Sequence, residues 1–597
     1  MILIRIRRYK NMERERYKSR FMMNQVGFLP TASKLFTYCG VSKKFQVNRL
    51  QDLVLTPVFE GVIHTCDDTY GIGDFTELTE EGIYRISTEE GNSRCFIIGR
   101  NAYGTTARVL TGYFTWQRCG DDLGWNGRCH SDDEIIFHSG ERRRLAGGHH
   151  QSSDLRKWAY GTSIGIEGLA EYALTEHPLW DKGGLAEDLW HSVKYYLSLI
   201  TKEGWMLDCT WVPEGYDKSK AGIGYGDYEF SWKRRQYFES PDNEHTHWQV
   251  IKVLSLAARY FAETDREKSE KCLEGAERIW NYMETEGRQM HDYDLPLYPP
   301  LGHDGMKKMY QGFYEGSALR HASRAIAACR LYLVKKDDRY KKAVFEALDA
   351  LCRLQAEGDV QSNPASACFW ESPESSRLAN NYYYFFNINV PMAFADALEI
   401  WPDAESAHCW MECMCRIAEQ HVLMSGHNPF GRVPATWHTA GHDIFAESAI
   451  FSFSTETCPV KQQNMLGKIA HKGGIYEIAC EDYSFCYNLD LLATGVFLCK
   501  AAKLTGCSRY RETAQRQMDW LLGANQFDAS SVEGVGYNQP HRGVFGEFFP
   551  PVPQIPGAVF TGITEESFQE EAFGYDCEYD MTMVGWMLYL IAQVQME

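Results

Sequence analysis

The spacing of hydrophobic positions changes once along this chain. From residue 22 to 110 the pieces KLFTYCGV, FQVNRL, LVLTPVFEGVI and GIYRISTE alternate apolar with polar residues or are rich in β-formers, and Gly, Asp and Asn separate them. Such runs between turn residues predict strands, and several in succession predict a small β-sandwich. Over residues 111–597 the period becomes helical. LAEDLWHSVKYYLSLI sets Leu185, Leu189, Val193, Tyr196, Leu197 and Ile200 at helical spacing. HWQVIKVLSLAARYF, KCLEGAERIWNYM, LDLLATGVFLCKAAKLTG and ETAQRQMDWLLG follow the same rule. Roughly ten to twelve such segments are countable. Residues 1–21 stand outside both regions, as a disordered extension or one misassigned to the chain.

Long aromatic loops join the helices: WVPEGYDKSKAGIGYGDYEFSWKRRQYF, NYYYFFN and GHNPFGRVPATWH. Loops of this length in a compact domain are functional or disordered, and so many rings argue against disorder. Flat rings above a helical scaffold suit the faces of sugars. Tyr225, Tyr228, Trp232, Tyr382, Tyr383 and Trp437 are the candidates, with plain packing as the alternative for each.

Composition narrows the partners. The chain has 597 residues, 44% apolar and 24% charged, enough for large cores and more than one domain. Its 61 basic and 80 acidic residues leave a net charge of −19, which opposes phosphate backbones and anionic lipid and argues against nucleic acid. No apolar run is long enough for a membrane span. MILIRIRRYKNMERERYKSR is broken by arginines and lacks the apolar core of an export signal. The 19 cysteines, scattered without framework spacing, read as reduced thiols in a cytoplasm, a subset of them able to bind metal.

Five motifs then follow one another: MNQVGFLPTASK (23–34), AGGHHQSSDLRKW (146–158), DLLATGVFLCKAAKLTGCSRYRETAQRQMDWLLGANQ (490–526), GYNQPHRG (536–543) and EEAFGYDCEYDMTMVGWMLYL (570–590). Their order resembles bacterial glycoside hydrolases of family 9. They are similar, in turn, to the start of that family's immunoglobulin-like domain, its Gly-Gly-Trp-His-Asp-Ala-Gly-Asp stretch, its penultimate helices with their Leu-Gly-x-Asn-Pro exit, its Pro-His-His-Arg segment, and its acid glutamate with the closing helix. The resemblance implies an N-terminal immunoglobulin-like β-sandwich followed by an all-α (α/α)6 barrel with the active cleft in its loops. It also implies inverting hydrolysis of a β-glycosidic bond, in which one carboxylate activates water and a carboxylic acid protonates the leaving oxygen.

On this resemblance Asp154 matches the general base, while the family's first aspartate, which helps hold the water, is replaced by Gln151. A glutamine carbonyl still accepts a hydrogen bond from water but brings no charge to the proton transfer. Read locally, the stretch is a surface loop whose Ser or Asp caps the following helix. With Gly585 aligned to the closing-helix glycine, the family's acid position falls on Gly574 and Glu578 lies four residues later. One helical turn separates the two, so Glu578 is the candidate acid, with Asp576 and Glu571 as alternatives. A carboxylate that stabilises the start of the last helix is the plainer role. His541 and Arg542 match the sugar-binding histidine and arginine.

RCGDDLGWNGRCHSDD supplies Cys119, Cys129 and His130, the ligand types of a closed tetrahedral zinc site, and resembles a structural zinc loop of some family members. The family's fourth ligand is a histidine where this chain has Lys157, so His149 or His150 has to serve. A pair of free thiols is the alternative, and His149 and His150 then become cleft residues; we take His149 as the ligand and His150 as a substrate contact. No organic cofactor is implied.

The expected activity is a cytoplasmic glycosidase of short β-linked oligosaccharides or glycosides of glucosyl, cello or glucosamine type. The alternatives are a carbohydrate-binding relative that has lost hydrolysis, motivated by Gln151 and the displaced acid, or another enzyme of the same helical toroid such as an unsaturated uronyl hydrolase.

Overall fold

The computed structural model describes residues 18–596 apart from 124–127, 132, 138, 153–156, 178–179, 181, 210–236, 240–243, 286–313, 380–384, 441–462, 482–485, 541–553 and 569–577. Nine strands build the first unit: β1 (Phe21–Met22), β2 (Gly27–Phe28), β3 (Leu35–Tyr38), β4 (Lys44–Gln51), β5 (Val54–Thr65), β6 (Gly71–Asp74), β7 (Gly82–Thr88), β8 (Gly91–Asn92) and β9 (Phe96–Ile98). They pair in the order β1-β3-β6-β5-β4-β7-β9-β2, with β8 on β7. The long β5 holds β4 along Val54–Val62 and β6 at Ile63–Thr65, so it links the two halves of the ribbon. Alternation decides which side chains go inside. Phe45 and Val47 of β4, Tyr84 and Ile86 of β7, and Phe96 and Ile98 of β9 are buried. Phe36 of β3 meets Phe45 edge-on at 5.0 Å, so the two halves share one aromatic core.

Twelve α-helices follow among the described residues: α1 (Gly104–Trp116), α2 (Ala159–Leu174), α3 (Leu185–Leu199), α4 (Glu244–Phe261), α5 (Arg266–Thr285), α6 (Ala318–Lys335), α7 (Asp338–Cys352), α8 (Phe385–Ile400), α9 (Ala407–Ser425), α10 (Tyr487–Thr505), α11 (Ser508–Leu521) and α12 (Met581–Gln595). Contacts run in a closed circuit through α2, α4, α6, α8, α10 and α12 and back to α2. Each member of that circuit also packs on one of the other six: α12 on α1, α2 on α3, α4 on α5, α6 on α7, α8 on α9 and α10 on α11. The patterning explains the division. The outer helix α7 buries Tyr340, Val344, Ala347, Leu348 and Leu351, one stripe at helical spacing. The inner helix α12 is buried at every position but Gln593, and its sequence MTMVGWMLYLIAQVQ is apolar on all sides. No helix among the described residues is long and apolar enough to cross a membrane.

The circuit closes where α2 meets α12. A methyl on Gly585 would lie 1.9 Å from the Gly165 carbonyl oxygen, and one on Gly168 would lie 2.2 Å from the Gly585 backbone. Only hydrogen fits at these three positions.

Two expected boundaries move. The helix α1 begins at Gly104 and its Ala107, Leu110, Tyr113 and Phe114 belong to the helical core, so the change of architecture falls near residue 100, not at 110. The β-region also begins before residue 22: the Ser19 N–H donates to Asp528 (2.8 Å) and Phe21 is already a strand residue. The two units are joined by buried polar contacts: Asn24 and Gln515 donate to the same oxygen of Asp519 at 2.7 and 2.8 Å, and Gln515 also donates to the Tyr103 hydroxyl.

Candidate active site and metal centre

The turn at residues 145–152 is held from three directions. The Cys119 N–H donates to the Gly148 carbonyl (2.8 Å), the His150 N–H to the Gln117 carbonyl (2.9 Å), and the Met581 N–H to the Gln151 carbonyl (2.8 Å). Gly147 and Gly148 both have left-handed φ, 99° and 80°, and a methyl on Gly148 would touch the Tyr195 ring at 2.7 Å. The paired glycines are therefore a backbone requirement.

The turn sends its two histidines to different partners. The Nδ1 of His149 lies 2.7 Å from the Ser192 hydroxyl and its Nε2 lies 3.5 Å from Asp188, both on α3. Asp188 also accepts from Arg118 at 2.6 Å. His150 joins the cysteines instead. Its Nε2 is 3.2 Å from the Cys129 sulfur, the Cys129 and Cys119 sulfurs are 3.8 Å apart, and Nδ1 of His130 is 3.4 Å from Cys119. The four ligand atoms of Cys119, Cys129, His130 and His150 lie within 4.8 Å of one another, and all four residues are buried. A tetrahedron of Zn–S bonds of about 2.3 Å has an S···S edge of about 3.8 Å, so the cluster has the size of a zinc site.

This corrects the expected assignment of both histidines. His150 completes the cluster and is fully buried, so it is not a substrate contact; His149 is committed to α3 and is not the fourth ligand. Lys157, which stands where the family pattern has a histidine, pairs with Asp133 at 2.5 Å, and neither side chain is exposed. Its ammonium also donates to the Gly147 carbonyl, so the lysine braces the loop it does not ligate.

At Gln151 the chain meets the start of α12. Ser152 and Asp580 form an antiparallel bridge. The Gln151 side-chain amide donates to Oδ2 of Asp580 (3.0 Å), while Oδ1 of Asp580 accepts the Thr582 N–H (2.8 Å) and caps the helix. The Gln151 carbonyl oxygen is buried, and a methyl on Gly161 would lie 2.2 Å from it. This side-chain oxygen is turned against α2. Glu578 lies two residues before Asp580 on the same extended segment; its carbonyl accepts the Thr561 N–H and its side chain is half-buried. Burial pushes the Tyr113 phenol well up, and the charges of Tyr579, Asp580 and Glu578 add to the effect.

The N-termini of neighbouring inner helices meet at this end. His245 of α4 packs edge-on against Tyr160 of α2 at 4.8 Å, and Glu244 of α4 pairs with Arg320 of α6 at 2.9 Å. Sequence reasoning missed Asp580, Glu244, His245 and Arg320. The available signal was a polar first turn on an otherwise buried helix.

Trp437 is a correction of another kind. It is fully buried in the strand β10 (Thr436–Thr439), in a core with Trp370 and Ile478 and 5.5 Å from the His421 ring, so it is packing and not a sugar platform. Asp154, Tyr225, Tyr228, Trp232, Tyr382, Tyr383, His541, Arg542, Glu571 and Asp576 lie outside the described residues.

Comparison with known proteins fits this arrangement. The sequence model described as glycosyl hydrolase family 9 matches residues 103–544. A cellodextrinase of Butyrivibrio fibrisolvens is 27% identical over 551 residues, covering 87% of this chain and 86% of that protein. Endoglucanase D of Acetivibrio thermocellus is 23% identical over 311 residues, and the match spans only 47% of its length and 46% of this chain. A single mutant of a thermostable endoglucanase from Alicyclobacillus acidocaldarius superposes with a TM-score of 0.67 at 16% identity, covering 97% of this chain and 100% of that one. At that identity the likeness speaks for the fold alone.

Proposed function

The chain belongs to glycosyl hydrolase family 9, a family of glycosidases, and on that premise we propose that it is an inverting β-glycosidase of short β-linked oligosaccharides or glycosides. In this reading an immunoglobulin-like sandwich precedes an (α/α)6 barrel, which the closed circuit of six helices, each with an outer partner, supports. Asp154 removes a proton from the attacking water and Glu578 protonates the leaving oxygen. Inversion needs about 6.5–9.5 Å between the two carboxyl groups, room for one water. His541 and Arg542 donate to sugar hydroxyls, an interaction that strengthens as charge develops.

The observation that carries the reading is the junction of Gln151 and Ser152 with Asp580 and Met581. It brings together two stretches more than 400 residues apart, one leading into Asp154 and the other containing Glu578. Two-carboxylate chemistry requires that kind of meeting. The cellodextrinase likeness, which spans most of both chains, favours short substrates. The described cysteines are free thiols, which supports the reducing, cytoplasmic setting.

Cys119, Cys129, His130 and His150 would hold zinc as a structural clamp beside the turn. Bound there, the ion supplies cross-linking of the loop to the turn and no step of the reaction.

The test is release of reducing sugar from β-glucosides, cello-oligosaccharides and glucosamine oligosaccharides, with the anomer of the product read by NMR. Turnover with an initial α-product is expected. Binding without turnover across the panel would overturn hydrolysis, and a β-product would overturn inversion.

A further inference from the structure

Asp580 caps α12 and is also held by a side chain from outside the helix. It is 5% exposed, one oxygen is taken by the Thr582 N–H, and the other is taken by the side-chain amide of Gln151. Gln151 in turn has its amide pressed on Gly161 and its backbone carbonyl bonded to Met581, so it has little freedom to turn elsewhere. The result is one buried carboxylate and one amide in contact at 3.0 Å, a charge-assisted bond and so stronger than a neutral one. An acidic residue at 151 would instead set two carboxylates 3.0 Å apart. The glutamine thus offers Asp580 an uncharged donor.

We propose that Asp580, locked by Gln151, is a positioning residue of the active site: the single negative charge of this pair fixes the segment leading to Asp154 against the segment carrying Glu578. The inference rests on the glycosidase reading above. It explains why Gln151 faces the helix and not the cleft, and it predicts that what matters is one charge in the pair, on either member.

An isosteric swap tests it. Asp580→Asn keeps the cap, because asparagine accepts the Thr582 N–H as well as aspartate does, but removes the charge. Gln151→Glu keeps the shape and adds a second charge. The double variant restores one charge with donor and acceptor exchanged. Each single variant should lose about 10-fold in kcat with little change in KM, and the double should recover to within about threefold of wild type, as expected for directly coupled groups. A second readout separates charge from mere shape. Two carboxylates in contact share a proton, so the deficit of Gln151→Glu should shrink as pH falls from about 8 to 5.

Single variants that match wild type, or a double as impaired as the product of the singles, would overturn the proposal. The same cycle read by urea unfolding covers a purely structural role: coupling in stability without coupling in kcat also overturns it. If wild type itself turns over no glycoside, the glycosidase reading falls first, and this inference with it. If wild type turns over and only the cycle fails, this inference alone falls.

Discussion

The imidazole Nε2 of His150 lies 3.2 Å from the sulfur of Cys129, while His149, one residue earlier, bonds to Ser192 on the neighbouring helix. Adjacent residues of the turn thus serve a candidate metal centre and a helix contact. The purified protein should hold about one zinc per chain after dialysis against a weak chelator. His150→Ala should lose it and His149→Ala should keep it, both read by metal analysis. Cys129→Ser should lower the melting temperature more than it lowers activity per folded molecule, since the ligands clamp a loop and touch no substrate. A zinc-free wild type would discard the centre.

Asp154→Asn tests the base. The amide is nearly isosteric but cannot take a proton from water, so kcat should fall by about 10²- to 10⁴-fold with an unchanged circular dichroism spectrum. Near-normal turnover would remove Asp154 from the mechanism.

For the acid, the leaving group is the probe. Glu578→Gln should lose most activity on cello-oligosaccharides, whose alkoxide cannot depart unprotonated, and keep far more on a dinitrophenyl glycoside. Asp576→Asn and Glu571→Gln, assayed in parallel, compete for the same signature. A general folding defect would depress both substrates alike, so the ratio of the two rates is the measurement.

Stability should depend on pH through Asp519. Burial between the β-domain and the helices pushes its carboxyl up from 3.8 to about 7, against the Asn24 and Gln515 donors that pull it down. The folded chain therefore binds this proton more tightly than the unfolded chain. The stabilisation is fully present below about pH 4 and is lost as pH rises through about 7, a change on the order of a few kcal/mol. Asp519→Asn should flatten that slope in urea titrations between about pH 4 and 8, and an unaltered slope would show that other groups set it.

Much of the fold was legible because local patterning and burial agree. The stripe predicted from Leu185 to Ile200 is the helix Leu185–Leu199, and the run LDLLATGVFLCKAAKLTG lies in the helix Tyr487–Thr505. Alternation in FQVNRL and GIYRISTE likewise gave the strands Lys44–Gln51 and Gly82–Thr88. The site was less legible, for a physical reason. Which of His149 and His150 faces the cysteines depends on the path of the turn, and that path is set by bonds to Gln117, Cys119 and Met581 from elsewhere in the chain. The partner of Gln151 is 429 residues away, beyond the reach of any periodicity. Trp437 misled because a tryptophan in an aromatic-rich stretch looks the same from the sequence whether it stacks on a sugar or fills a core.

The contact of Gly165 with Gly585 also sets an order of events during synthesis. A ribosome delivers α2 early and α12 late, so the face of α2 that carries Gly165 and Gly168 waits without its mate while the intervening helices emerge. Until then the bond between Gln151 and Asp580 cannot form, and the two carboxylate-bearing segments remain apart. A nascent chain stalled before Asp580 would hold eleven of the twelve described helices and lack this junction, so the ring can close only when the last helix arrives.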